Sequence, residues 1–427
     1  MAIAQEPTTA LRLLAGPGLS AGRETLAAHT ARVGPLPSGG TWLLAALAQS
    51  GLRGRGGARF PTVRKWDAVW TRAGGHAVVV INGAEGEPAS AKDQLLMSLR
   101  PHLVLDGAQL AAETVGATEV VLYVNRAFTP SIQALQAAIA ERERSRTGLR
   151  RVTLLTPPPR YVAGEETAVV RWINGGEAKP ASVPPRPFEK GVGGRPTLVQ
   201  NVETTAMAAL IGRQGPEWFR ALGTEASPGT TLLTVSGAVA HPGVYEIAHG
   251  GTLGAAVAAA GGLTQGCQAV LLGGYFGTWV PARRALSLHL DDDALSKEDL
   301  KLGCGVVHVL PEGVCGVAET ARILRFLALE SARQCGPCMY GLDDLATLVE
   351  AIAAGKARAG EFAKLERWAA QLAPGRGACK HPDGAVGMLR SAWASFKEDF
   401  EFHRRRPCLT AQAPGRLPTV PAPAGWR

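Results

Sequence analysis

The chain has 427 residues, of which 46% are hydrophobic and 19% charged, with a formal net charge of +9. That balance is too apolar for a disordered chain, and the length suits two to four packed domains. No run of about 18 apolar residues occurs, which argues against a membrane-spanning helix.

The opening stretch "MAIAQEPTTALRLLAGPGLS" carries an early acid and lacks the basic start and apolar centre of a secretory signal, so a cytoplasmic location is expected. Seven cysteines, an odd number in a large non-secreted chain, point to thiols or metal ligands rather than a disulfide framework. Positive charge gathers in "IAERERSRTGLRR" and "FHRRRPC". Each run alone fits a solvated face; the net charge also suits an acidic partner, an anionic phosphate or nucleic acid.

Residues 1–35 form a weakly patterned lead-in, and residues 36–225 have an α/β pattern. "AVVVINGAEGEP" and "TEVVLYVNRA" are short β-rich runs ending in polar turns. Between them "DQLLMSLRPHLVLDGAQLAAETVG" has helical spacing, which predicts a βαβ unit with parallel strands. "PSIQALQAAIAERER" predicts a further helix and "RRVTLLTPP" a further strand. Residues 229–312 open with a strand, a His-Pro-Gly turn and a second strand in "TTLLTVSGAVAHPGVYEI". A short helix, "LGAAVAAAGG", and a return to strand in "QAVLLGGYFGTWV" give the order of a small β-grasp module. Residues 313–403 carry four apolar stripes of period near 3.6, ending in "AVGMLRSAWASFKEDFEFH", and predict a helical bundle. The Pro- and Ala-rich tail, residues 404–427, is expected to be flexible.

"GLRGRGGARFPTVRKW" sets glycines among arginines, so that backbone N–H groups can approach an anion, with Arg55 and Lys65 adding charge. An RGG-like segment can also be a disordered RNA contact. Here it runs into a helical pattern, which weakens that reading. "INGAEGEP" puts Asn82, Glu85 and Glu87 at the carboxyl end of a strand, where ligands collect in parallel α/β sheets. "YVAGEETAVVRWI" places Glu165 and Glu166 at a helix start, where dipole complementarity alone would explain them. "PTLVQNVETTAMAAL" places Gln200 and Asn201 just before another helix. The pair Cys335 and Cys338, in "ESARQCGPC", suits a redox dithiol, half of a zinc site, or part of an iron–sulfur cage.

Taken together, "GLRGRGGARFPTVRKW", "NGAEGEPASAKD", "YVAGEETA", "PTLVQNVET" and "ESARQCGPC…GRGAC" resemble, in order and spacing, the NADH- and FMN-binding subunit of respiratory complex I, also used by NAD-reducing hydrogenases and formate dehydrogenases. The resemblance covers roughly residues 36–400. It implies a Rossmann-like FMN domain, a ubiquitin-like β-grasp (SLBB-type) domain and a four-helix bundle holding an iron–sulfur cluster. It also implies an NADH dehydrogenase-type oxidoreductase, in which FMN takes hydride from NADH and single electrons pass to the cluster. Ferredoxin-like or membrane-associated acceptor subunits in a larger complex would follow, with no nucleic acid involved.

Carried over by position, Gly54, Arg55, Gly56, Gly57 and Lys65 would line the flavin phosphate and nucleotide side. Asn82 and Glu85 would approach the flavin or nicotinamide, and Phe60 would remain on the adenine side. Tyr161, Gly164, Glu165 and Glu166 would shape the nucleotide cleft, with Glu85 and Glu165 closest to the chemistry, and Gln200 and Asn201 would bond the flavin. Cys335, Cys338 and Cys379 would be cluster ligands, but Ala332 stands where the family has a fourth cysteine. A three-cysteine cluster, a fourth ligand from Cys304, Cys315 or solvent, a zinc site completed by His381, or no cluster at all are the possible outcomes. Arg59 and Ala84 replace a family glycine and aspartate, and Ala68 and Arg186 fall where phenylalanines sandwich adenine. Arg59 or Arg186 could meet a phosphate instead. A degenerate member that binds a cluster or zinc and docks partner subunits is the alternative function.

Overall fold

The computed structural model describes residues 11–145, 150–411, 415–419 and 425–427. The start of the opening stretch, part of the run "SRTGLRR" and parts of the tail lie outside them. Residues 11–35 are more than a lead-in: Leu13 and Leu14 are buried in the main core, and α1 (Leu26–Val33) packs on the α/β body. Helix α2 (Thr41–Ser50) ends where Gly51 takes a left-handed φ of 71°, the usual helix stop. Helix α3 (Thr62–Ala73) buries Trp66, Val69 and Ala73 on one face.

Strands β1 (Ala77–Gly83), β2 (Ala117–Val124), β3 (Val152–Leu155) and β4 (Thr197–Asn201) form one sheet in the order β3-β2-β1-β4. All three pairings are parallel, as the βαβ pattern predicts. The unbroken apolar run of β1 follows from burial on both faces. The stretch expected as one helix between β1 and β2 is two, α4 (Lys92–Leu99) and α5 (Pro101–Val115). Pro101 forces the break: Arg100 before it leaves helical geometry at φ −124°, ψ 47°. Helix α6 (Thr129–Arg144) leads to β3, α7 (Glu166–Ile173) follows a turn at Tyr161–Gly164, and α8 (Val202–Gln214) and α9 (Pro216–Arg220) follow β4.

The second sheet contains β5 (Thr230–Gly237), β6 (Gly243–Ala248), β7 (Cys267–Leu272), β8 (Thr278–Pro281) and β9 (Val306–Pro311), in the order β6-β5-β9-β7-β8. The β5–β6 hairpin is antiparallel, and β9 lies parallel to β5 between the two hairpins. This is β-grasp topology. Its helices are α10 (Leu253–Ala259), α11 (Ala282–Ala285) and α12 (Asp292–Lys297). "QAVLLGGYFGTWV" is not one strand but the β7–β8 hairpin, turned by Gly273 and Gly274 at φ 95° and 96°.

The C-terminal part holds α13 (Gly316–Leu329), α14 (Leu342–Ala353), α15 (Glu361–Leu372), α16 (His381–Ser395) and α17 (Lys397–His403). The fourth predicted stripe is thus two helices, broken at Phe396 (φ −115°, ψ 31°). Described parts of the tail dock on the body, contrary to the flexibility expected of them. Tyr275 Oη donates to Pro418 O (2.6 Å), Ala178 N–H donates to Trp426 O (2.9 Å), and the Arg160 guanidinium lies 4.1 Å above the Trp426 ring.

Helices α5 and α8 touch backbone to backbone at Gly107, where an added Cβ would lie 2.1 Å from Thr205 O. Gly107→Ala is therefore expected to destabilise the chain by about 1–3 kcal/mol through overpacking, seen as a lowered thermal midpoint with intact secondary structure.

Candidate flavin and iron–sulfur site

The glycine turn sits at the carboxyl end of β1 and β4. Gly54 N–H donates to Phe60 O (2.8 Å), closing the loop. A Cβ on Gly56 would lie 3.4 Å from Asn201 Cβ, while Gly57, at φ 107°, faces open space. Arg55 does not face that space. Its guanidinium is buried, donating to Thr230 O (3.0 Å), paired with His249 Nε2 (2.8 Å) and 3.8 Å from Glu203. Burial lowers its pKa to about 9, with nearby Arg59 adding to the effect and Glu203 opposing it. Charge beside a phosphate therefore has to come from elsewhere than Arg55.

Arg59, the residue in place of a glycine, takes a left-handed φ of 53°. It points to Asp292, which accepts from Nε and Nη2 at 2.8 Å each, and not into the cleft. Lys65 Nζ lies 2.8 Å from Glu166 Oε2, and Arg186 Nη1 lies 3.9 Å from Glu166 Oε1. Glu166 thus faces both cations at the cleft rim, where Phe60 is 51% exposed.

Asn82 Nδ2 donates to Gly164 O (2.8 Å), and Gly164 packs against Ala84. Glu85 has φ 21°, an uncommon conformation for a residue with a side chain. Its carboxylate accepts from Ser90 Oγ (2.6 Å) and from the amides of Asp93 (3.1 Å) and Gln94 (3.0 Å) at the start of α4. Glu165 caps α7, accepting from the amides of Thr167 (2.9 Å) and Ala168 (3.1 Å). Both carboxylates expected nearest the chemistry therefore also hold helix starts. Burial raises the Glu165 pKa.

Behind the turn lies a buried charged group that sequence reasoning missed. Lys92 Nζ is 2.9 Å from both Asp93 and Glu203, and Asn201 Nδ2 donates to Asp93 (2.7 Å). Burial disfavours the Lys92 ammonium, but Asp93, Glu203 and Glu85 outweigh it and raise its pKa. Gln200 Oε1 is buried without a partner. The sequence signal available was the Lys-Asp pair at the start of an otherwise apolar helix. Glu87, noted only as lying at a strand end, accepts from Tyr275 N–H (2.8 Å) and Tyr161 Oη (3.2 Å). Burial raises its pKa to about 7.

Tyr161 also touches the β7–β8 hairpin and the bundle, its ring centroid 4.9 Å from Phe276 of the hairpin and 5.7 Å from His381 and 5.8 Å from Phe326 of the bundle. Arg171 Nη1 donates to Gln334 Oε1 and Gln334 Nε2 to Pro180 O, both at 2.7 Å, which ties the CGPC loop to the flavin side. Cys338 lies in a π-helical turn, Pro337–Gly341, a distortion common at functional sites. Burial, then Cys335 and Cys379, raise its pKa, so the three sulfurs share one locale. Burial raises Cys379 too, with Glu165 and Cys335 adding to it. Glu165 of the cleft is thus within electrostatic reach of a bundle sulfur.

Ala332 is buried where a fourth thiolate would be needed. Cys315 cannot replace it: it caps the other end of α13, about 20 Å away at 1.5 Å per residue. Cys304 Sγ donates to Gly273 O (3.2 Å) and, apart from burial, responds to Glu87, Lys92 and Glu85 rather than to the bundle sulfurs. Among the described residues Cys335, Cys338, Cys379 and His381 do not close to the spacing of a single-ion site, and His381 Nε2 already bonds Leu327 O (2.7 Å). The donor set fits a multi-iron cluster better than zinc, with one iron lacking a cysteine from position 332. The unpartnered Gln200 Oε1 and the open glycine turn fit a flavin phosphate and ring.

An α/β domain, a β-grasp domain and a thiol-bearing helical bundle meeting at one cleft define the class: a flavin- and iron–sulfur-binding chain. Family models described as the Nuo51 FMN-binding domain, the SLBB domain and the NADH-ubiquinone oxidoreductase-F iron-sulfur binding region match residues 47–209, 232–273 and 318–403. The second F-type subunit of NADH-quinone oxidoreductase from Rhizobium meliloti is 34% identical over 367 residues, covering 83% of this chain and 87% of that protein. The F-type subunit from Escherichia coli is 31% identical over 379 residues, covering 84% and 83%. A crystal structure of an NAD+-reducing [NiFe]-hydrogenase in the air-oxidized state aligns with a TM-score of 0.79 at 34% identity, over 86% of this chain but only 63% of the hydrogenase chain. The chain belongs to the family of F-type subunits of NADH-quinone oxidoreductase.

Two tests follow from this geometry. Arg59→Ala keeps the left-handed backbone and loses the Asp292 pair, whereas Arg59→Gly relieves the backbone. The glycine variant is expected to be more stable than the alanine variant by about 1 kcal/mol, read from denaturant midpoints. Glu87 ionises from its ordinary value of 4.5 in the unfolded chain but only from about 7 in the folded one. The folded state therefore binds more protons in that window, so this group lowers stability as pH rises through it and leaves it lowered above. Glu87→Gln is expected to raise the thermal midpoint relative to the parent at pH 8 and to have little such effect at pH 4.

Proposed function

We propose that this chain is an electron-transfer flavoprotein that oxidises NADH and passes the electrons to a cluster held by Cys335, Cys338 and Cys379. The observation that carries the reading is continuity between the two centres. Gly56 packs on Asn201, Asn82 bonds Gly164, and the next residue, Glu165, acts electrostatically on Cys379. Bound FMN would supply the conversion of a two-electron hydride donor into single electrons, which a cluster requires.

The protein's own residues would do the holding. Amides of the Gly54–Gly57 turn and Lys65 would receive the phosphate, and Gln200, Asn201 and Asn82 the ring. Glu166, Lys65 and Arg186 would set the charge at the nucleotide rim, and Phe60 would offer the remaining stacking face on the adenine side. Tyr161 and Glu85 would shape the nicotinamide end. Glu87, with its pKa raised by burial to about 7, can carry a proton near neutrality at the junction between the centres.

The relatives are named as subunits, and no helix among the described residues is long and apolar enough to cross a membrane. A cytoplasmic place in a larger complex, with ferredoxin-like or membrane-associated acceptor subunits, accords with both. The second reading, a non-catalytic docking subunit, is favoured by Ala332 and by Arg186 facing Glu166 on the adenine side. Anaerobic reconstitution separates the two. The parent chain is expected to bind FMN and a cluster of about three or four irons, and NADH is expected to bleach the flavin. Cys379→Ser is expected to keep the flavin and its bleaching while losing the iron. A chain that binds neither flavin nor iron would defeat the proposal, and flavin that NADH does not reduce would leave the docking role.

A further inference from the structure

We propose a second metal site, a zinc clip formed by Cys315, His403 and Cys408 at the end of the bundle away from Ala332. The ligand atoms of these three residues all lie within 4.8 Å of one another, and Cys315 Sγ is 3.2 Å from His403 Nε2. One ion bound to sulfur at about 2.3 Å and to imidazole nitrogen at about 2.0 Å needs donors at such short mutual distances. Two thiolates and an imidazole are borderline-soft ligands that suit zinc, and a water molecule can complete the tetrahedron.

The surroundings are those of a built site. Cys315 is the N-cap of α13, and its sulfur accepts from Ala318 N–H (3.3 Å). Cys315 and His403 are buried, and Cys408 is half-buried. His403 Nδ1 is buried without a hydrogen-bond partner. Two thiolates with a divalent ion leave no net charge inside the bundle.

The clip would join the start of α13 to the chain just beyond α17. Further along the tail, the amides of Arg416 (3.1 Å) and Leu417 (3.4 Å) donate to Glu319 of α13. The ion would thus anchor the segment that returns toward the junction of the three domains. Its ligands are distinct from Cys335, Cys338 and Cys379, so its loss and the loss of the cluster can be told apart.

The test measures zinc, iron, sulfide and flavin in the full-length reconstituted chain and in Cys408→Ser, with X-ray absorption at the zinc edge. About one zinc per chain is expected, with two sulfur neighbours near 2.3 Å. Cys408→Ser is expected to cut zinc at least tenfold while leaving iron, sulfide and flavin unchanged, and Cys408→His to restore it. Cys408 is only half-buried, so this variant keeps the test open should Cys315→Ser fail to fold. A chain that takes up no zinc from buffered zinc would overturn the proposal. So would zinc retained in Cys408→Ser, zinc lost only with Cys335→Ser, or a Cys315–Cys408 disulfide found by mass spectrometry.

Discussion

One buried ammonium organises the flavin side of this protein. Lys92 stands between Asp93 and Glu203, at 2.9 Å from each. Asp93 in turn receives Asn201, and Glu203 receives the amide of Leu232 (3.0 Å) and lies near Arg55. Removing either partner of such a buried pair typically costs about 3–5 kcal/mol, because the charge left behind is uncompensated. Four parts of the chain therefore hold one another: the start of α4, the start of α8, the first strand of the β-grasp sheet and the glycine turn. The turn's open face toward the cleft goes with this, since Arg55 is pulled to its other side.

A second junction sits beside the first. Glu87, at the end of the β1 segment, bonds Tyr161 from the α7 side and the amide of Tyr275 from the β7–β8 hairpin. Tyr161 then meets Phe326 and His381 of the bundle. Three domains thus meet at one small polar and aromatic contact, next to the loop that carries Cys335 and Cys338. Fixing the distance between a flavin and a cluster requires rigidity of this kind, since single-electron transfer depends on a constant separation between fixed centres.

The departures from the family pattern have different physical outcomes. Arg59 and Arg186, two candidates for new phosphate contacts, are each turned to a carboxylate, Asp292 and Glu166. Arg59 thereby becomes a strut between the glycine loop and the segment that enters α12. Ala332 has no such compensation among the neighbouring cysteines, because α13 carries Cys315 away from it. A cluster held by Cys335, Cys338 and Cys379 would therefore leave one iron to solvent or a non-cysteine ligand.

The order of the domains, the parallel sheet, the β-grasp hairpin and most helices were legible in the sequence, since each rests on local periodicity and on glycine or proline stops. So were the glycine turn, the carboxyl edge of β1 and the Cys335–Cys338 pair, each carried within a short motif, whereas Cys379 lies far along the chain and entered only through the family resemblance. Tertiary structure alone decided that Arg55 turns inward, that Glu85 and Glu165 hold helix starts, and that Glu87 and Lys92 are buried. It also decided that Cys315 keeps company with His403 and Cys408 instead of the cluster. The reason is physical: periodicity encodes which face of a segment is apolar, whereas the direction of a charged side chain depends on which distant partner can repay its loss of water, and that partner is brought near only when the three domains have packed.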